Sequence, residues 1–269
     1  MSKSGESLYS LRLLDELSKM DTGIHRINPL VKIVTTVIYL IIVASFGRYE
    51  TISLLPLFFY PVIIFSAAEL PKAPILKRVL LVEPFIIGIG ILNPIFDSST
   101  FMLGSISVSC GWLTFLSIII KGGLTVIAGL LLMATTGMDK LAAALRKLRV
   151  HRLFVLQLIL TYRYITVLME EVYRMQRAYG LRAPGQKGIS IRVWGSFAGQ
   201  LLLRTYDRAQ HVYRSMNLRG FCGEYHTGET KRPTIMDYAY LAGWSIFFFI
   251  VRIYNMPIMI GSLFTGVIK

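Results

Sequence analysis

The chain has 269 residues, 54% of them hydrophobic and only 16% charged, with a mean hydropathy of +0.57. Soluble globular chains carry about 25% charged residues, so this composition excludes an ordinary soluble domain and specifies a membrane protein. The net charge is nevertheless +14, and the two cysteines, Cys110 and Cys222, are too few for a disulfide framework or a cysteine-rich metal site.

In chain order, residues 1–28 form a polar leader of mixed charge, unlike a cleaved signal peptide. Pro29 suits the first turn of a helix, and Leu30–Phe46 is an almost uncharged run with Lys32 at its start. It is close to the length that crosses a bilayer. Gly47–Glu50 is a tight connection, and Thr51–Ala68 a second run in which Pro56 and Pro61 predict kinks. Neighbouring helices can re-satisfy the backbone groups that such prolines release. Glu69–Arg78 reads as a polar connection, Val79–Phe96 as a third run interrupted by Glu83-Pro84, and Asp97–Ser105 as a loop with no Lys or Arg. Trp112–Thr136 is the fourth run, and Thr234–Tyr254 returns to the membrane as the fifth, leaving a short tail.

Residues 137–233 differ in character, with Arg and Lys frequent and polar residues recurring at helical spacing. The apolar patch Leu153–Leu160 is too short to span and is interrupted by Gln157 and Arg163, so the region is predicted to form amphipathic helices at or below the membrane surface. The fold class expected is all-α: a polytopic membrane protein of about five transmembrane helices, residues 29–136 and 234–269, with a helical arm over 137–233. Basic loops mark the cytoplasmic side. The leader, Glu69–Arg78 and the arm fall on that side; Gly47–Glu50 and Asp97–Ser105 fall outside. This places Cys110 near the outer face and Cys222 in the cytosol.

Within the arm one phrase is written twice: Arg177-Ala-Tyr-Gly-Leu181-Arg182-Ala183 and Arg214-Ser-Met-Asn-Leu218-Arg219-Gly220. Each closes a helix-forming run, and a small residue after the second Arg suits a helix end. A guanidinium there can hold a partner's carboxylate with its planar fork. It can equally complement its own helix dipole, and spacing alone leaves both readings open.

The order of these features resembles the transmembrane T component of energy-coupling-factor ABC transporters, and more specifically the cobalt-transport Q-type permease (CbiQ) family. The phrases that carry it are His25-Arg26-Ile27-Asn28-Pro29, Ser45-Phe46-Gly47-Arg48, Ala134-Thr135-Thr136-Gly137, Tyr162-Arg163-Tyr164, Glu170-Glu171 and Leu203–Ala209, followed by the two Arg tips. The resemblance implies a non-catalytic subunit of a prokaryotic plasma-membrane importer, most concretely for cobalt, with nickel or shared vitamin import as alternatives. It implies that Leu181, Arg182, Ala183, Leu218, Arg219 and Gly220 dock in grooves of ATP-binding cassette ATPase subunits. It further implies a small membrane subunit that captures the substrate, with ATP and Mg held by the ATPases and no cofactor on this chain. The family's usual tip is Ala-Arg-small, whereas Leu precedes both arginines here; a second register would set Ala178-Tyr179-Gly180 on the first motif.

Other features weigh less. Lys121 sits within the fourth run and has two readings, a place in the bundle interior or at the capture subunit, or snorkelling along a tilted helix; Glu83 is expected to lie too far away to pair with it. His25, His151, His211 and His226 lack metal-ligand spacing and read as surface or interfacial residues. Gly180–Lys187 imitates a phosphate loop but has Gln186 where Lys is required. The spacing Gly195-x-x-x-Gly199 predicts close helix packing. A membrane enzyme would need clustered acidic or histidine motifs, and only scattered Glu83, Asp97 and Asp139 are present. Lipid headgroups are expected supporting contacts, and RNA is not an expected partner because the arm's aromatics form no stacking platform.

Overall fold

The computed structural model describes residues 15–48, 50–96, 100–103, 106–183, 188–223 and 232–254. Its helices are α1 (Gly23–Arg26), α2 (Pro29–Ser45), a 3-10 helix (Ile52–Phe58), α3 (Phe59–Ala67), α4 (Lys72–Gly90), α5 (Leu92–Phe96), α6 (Cys110–Thr136), α7 (Met138–Lys147), α8 (Arg152–Arg182), α9 (Ile191–Leu218) and α10 (Ile235–Tyr254). One antiparallel hairpin, β1 (Thr100–Leu103) with β2 (Ile106–Ser109), pairs Thr100 with Ser109. The protein is otherwise all-α, as expected for a polytopic membrane protein. Strand β1 falls within Asp97–Ser105, the stretch predicted as a plain loop, and β2 follows directly after it. The chain divides into two compact units, one containing α7–α9 and the other the remaining helices.

In the membrane unit, α2 packs on α6 and α10, and α4 packs along α6. Its core is aromatic. Tyr39 of α2 stacks at 4.7 Å from Tyr60 of α3, and both meet Phe248 of α10 at 5.2 and 5.3 Å. Outward-facing Ile41, Val62, Leu80, Leu81 and Phe85 remain exposed, which suits lipid rather than water as the surrounding solvent. Among the described residues, three helices are long and apolar enough to cross a membrane: Gly111–Thr136, Arg152–Arg182 and Ile235–Tyr254.

The second run departs from a simple kink. Pro56 lies inside the 3-10 helix, and α-geometry begins only at Phe59. Pro61 has no N–H to give to the carbonyl four residues earlier, and the Tyr39 hydroxyl donates to that Leu57 oxygen at 3.2 Å. The third run also begins earlier than expected. Lys72, Lys77 and Arg78 lie within α4 rather than in a loop, because Pro71 is its N-cap and Pro74 sits in its first turn, where no intrahelical donor is required.

Two lysines hold α2 and α6 at opposite ends. Lys32, 4% exposed, donates to the Thr135 carbonyl in the last turn of α6 at 2.8 Å. Lys121, on α6, donates to the carbonyls of Phe46 and Gly47 just beyond α2, at 2.7 and 3.1 Å. The two helices are antiparallel; Lys32 satisfies an orphan C-terminal carbonyl of α6, Lys121 takes carbonyls of the chain just past α2, and each lies near the negative end of the other helix's dipole. Gly137 ends α6 at φ +74, a left-handed conformation that also brings Ser18 Oγ within 2.6 Å of where a Cβ would stand.

Candidate functional site

The arm unit is built on α7, α8 and α9. Its small core joins Ala142 of α7 to Val155 and Ile159 of α8, with Leu145, Val150 and Leu158 around them. Helix α8 runs unbroken for 31 residues, so the patch predicted as too short to span belongs to a much longer element. The whole helix is long enough, and contains a stretch apolar enough, to cross a membrane. The second half, with Glu170, Glu171, Arg174, Arg177 and Arg182, is strongly charged.

Helices α8 and α9 are tied where the Glu171 carboxylate pairs with Arg204, and Arg174 approaches the same carboxylate at 3.7 Å. From that tie α8 continues about 16 Å to Arg182, and α9 continues about 22 Å to Arg219, at 1.5 Å per residue. A groove of about 910 Å³ lies between the α8 stretch before the tie and the α9 stretch after it. Arg219 lines that groove, whereas Arg182 lies beyond the tie on the loop side. The two tips therefore lie on opposite sides of the tie.

Both repeats end a helix, by different means. Gly220 has φ +75, its N–H donates to Asn217 O at 3.0 Å, and Phe221 N–H reaches Met216 O at 3.0 Å. This is the Schellman closure, in which a residue without Cβ takes the left-handed position. Ala183 instead has φ −125, and its N–H donates to Tyr179 O at 3.0 Å. Leu181 and Leu218 are 79% and 89% exposed, and Arg182 and Arg219 are exposed beside them. The phosphate-loop mimic dissolves accordingly: Gly180, Leu181 and Arg182 are the last turn of α8, and residues 184–187 lie outside the described residues.

The predicted close packing at Gly195 and Gly199 is not found. A Cβ at either would meet nothing within 4 Å, because this face of α9 is exposed and has no helix against it among the described residues. Lys121 makes the carbonyl contacts given above, to Phe46 and Gly47. Glu83 lies instead against Gly123, and one of its oxygens is buried without a hydrogen-bond partner. His25 corrects the reading of all histidines as surface or interfacial, since it is buried with Nδ1 2.7 Å from Thr22 Oγ1. His151 and His211 are exposed; His226 and Asp97 lie outside the described residues, as does any account of the Cys110 side chain. Cys222 is an exposed free thiol. Among the described residues no three His, Cys, Asp or Glu side chains cluster as a metal would require.

Sequence reasoning missed two residues. Asp237, 7% exposed, accepts Thr234 N–H at 2.7 Å and Asn28 N–H at 2.9 Å. The pattern Thr234-x-x-Asp237 before an apolar run is the readable signal of a capping box. Arg252, in the last turn of α10, donates to the Ser45 carbonyl at 3.2 Å and stacks 4.9 Å above Phe46.

A family model described as cobalt transport protein, CbiQ, matches residues 20–230. The chain belongs to this family of transport permeases. It is the membrane component of a transporter. Among its relatives, an uncharacterized protein of Methanocaldococcus jannaschii is 26% identical over 242 residues, covering 84% of this chain and 81% of that protein. The nickel permease LarQ of Lactiplantibacillus plantarum is 29% identical over 119 residues, covering 43% of this chain and 44% of that protein.

Proposed function

We propose that this chain is the non-catalytic coupling subunit of an ATP-driven energy-coupling-factor importer, with cobalt ion as the cargo. The observation that supports this most is the pair of exposed Leu-Arg helix ends, Leu181-Arg182 and Leu218-Arg219, on opposite sides of one ion-paired tie. A leucine left almost fully in water beside a guanidinium suits a socket offering an apolar wall and a carboxylate. Two such ends suit two ATPase subunits. Closure of the ATPases on ATP and Mg, which those subunits supply, changes the distance between the tips. Helices α8 and α9 convert that change into movement felt by a separate substrate-capturing membrane subunit, a rigid-element switch. The N-terminus and the arm are cytoplasmic on this reading, and the membrane is the prokaryotic plasma membrane.

Nickel is the second reading, favoured by the likeness to the nickel permease LarQ over 119 residues. Mild-detergent copurification with mass spectrometry, alongside cobalt and nickel uptake in the same cells, tests the proposal. Recovery of ATPase subunits and one dedicated capture subunit, with cobalt uptake lost on deletion, is the expected result. Loss of nickel uptake alone selects the second reading, and absence of any ATPase overturns both.

A further inference from the structure

The groove between α8 and α9 has two unlike walls. On α8, Leu160, Tyr164, Val167 and Leu168 line it, at spacings that place them on one helix face. On α9, Arg204, Arg208, His211, Ser215 and Arg219 line it, again at three-, four- and seven-residue spacings that form one stripe. Val212 and Met216 extend the apolar lining from α9. Arg163 adds a further cation from α8.

The charges do not cancel within the unit. Glu171 is taken by Arg204 and Arg174. Arg163, Arg208 and Arg219 are exposed and make no ion pair among the described residues, and Asp207 is the one remaining lining carboxylate. We infer that this groove receives an amphipathic helix of a partner protein, bearing an apolar stripe toward α8 and a row of Asp or Glu toward α9.

Charge distribution selects this occupant over a lipid. A phospholipid concentrates its negative charge at one end, whereas the unpaired guanidiniums of α9, Arg208 and Arg219, stand eleven residues apart, about 16 Å of helix. A partner helix of about three turns carries carboxylates at that separation, and each of these two guanidiniums can hold one bidentately. The inference shares Arg219 with the proposed ATPase tips but uses a different surface, and it stands without them.

The test places a photo-cross-linking amino acid at Val212 in the full chain expressed in its native membranes, with a second variant carrying it at Leu218 as the control. The expected result is a Val212 adduct whose peptide is acidic and amphipathic. Arg208→Glu should lower its yield at least tenfold, and replacing an acidic residue of the mapped partner by Arg in the Arg208→Glu background should restore it. A phospholipid adduct, an adduct with this chain's own leader, or a neutral or basic partner peptide overturns the inference. So does no Val212 adduct while Leu218 cross-links normally. Failure at Leu218 with success at Val212 would instead count against the ATPase tips alone.

Discussion

The carboxylate of Asp237, at the start of the last membrane helix, accepts the backbone N–H of Asn28, immediately before the first, at 2.9 Å. Its other oxygen accepts Thr234 N–H, and the Asn28 side chain in turn accepts Leu30 N–H at 3.0 Å. One buried carboxylate therefore satisfies donors at two helix N-termini and lies at the positive ends of both dipoles. Asp237→Ala takes the acceptor from the Asn28 N–H in a buried setting and from the part-buried Thr234 N–H. The buried loss alone costs about 1–3 kcal/mol, so thermal unfolding in detergent should show a lower midpoint. Asp237→Asn, which keeps one acceptor oxygen, should fall between that variant and the parent.

Lys121→Met keeps the length and apolar stem of the side chain but removes the donor to Phe46 and Gly47. The stability loss should be about 1–3 kcal/mol, accompanied by faster proteolysis near Gly47–Glu50. ATPase copurification should be unchanged at permissive temperature. A normal melting curve with lost copurification would assign Lys121 to the partner interface instead.

The Tyr39 hydroxyl and Pro61 are coupled through one carbonyl. Tyr39→Phe should cost about 1 kcal/mol by leaving Leu57 O unsatisfied. In a Pro61→Ala background the new N–H can take that oxygen itself, and the cost should largely vanish. A double-mutant cycle reads the coupling directly; additive effects would contradict it.

Glu171→Gln tests the tie between α8 and α9. Arg204 is largely exposed, so the pair contributes only about 0.2–1 kcal/mol to stability. The variant should therefore melt almost normally and still bind ATPases, while uptake falls several-fold because tip movement is less faithfully transmitted. Uptake at the parental rate would show that the tie carries no coupling.

The membrane runs were legible because long apolar stretches punctuated by Asn28-Pro29, Gly47 and Gly137 leave few alternatives. The start of α4 was not, since lysines and prolines ordinarily mark a loop, and only their place in a first turn makes them compatible with a helix. The repeated Arg-x-x-x-Leu-Arg phrase located two helix ends, but sequence could not show that the second closes through Gly220 in a left-handed conformation while the first closes without one. The roles of Lys32, Lys121 and Arg252 depend on which carbonyls lie opposite, and no local pattern encodes that. Gly195 and Gly199 misled for the same reason: their spacing permits a neighbour, yet only the fold decides whether one is there.

The most direct test of the coupling account is copurification of ATPase subunits with the Arg182→Glu, Arg219→Glu double variant, scored against the parent at equal membrane abundance. The account predicts at least a tenfold loss of ATPase, with each single variant intermediate and the melting temperature of the variant chain unchanged. Parental ATPase recovery from the double variant would contradict it, and the two arginines would then be helix-terminal charges and nothing more.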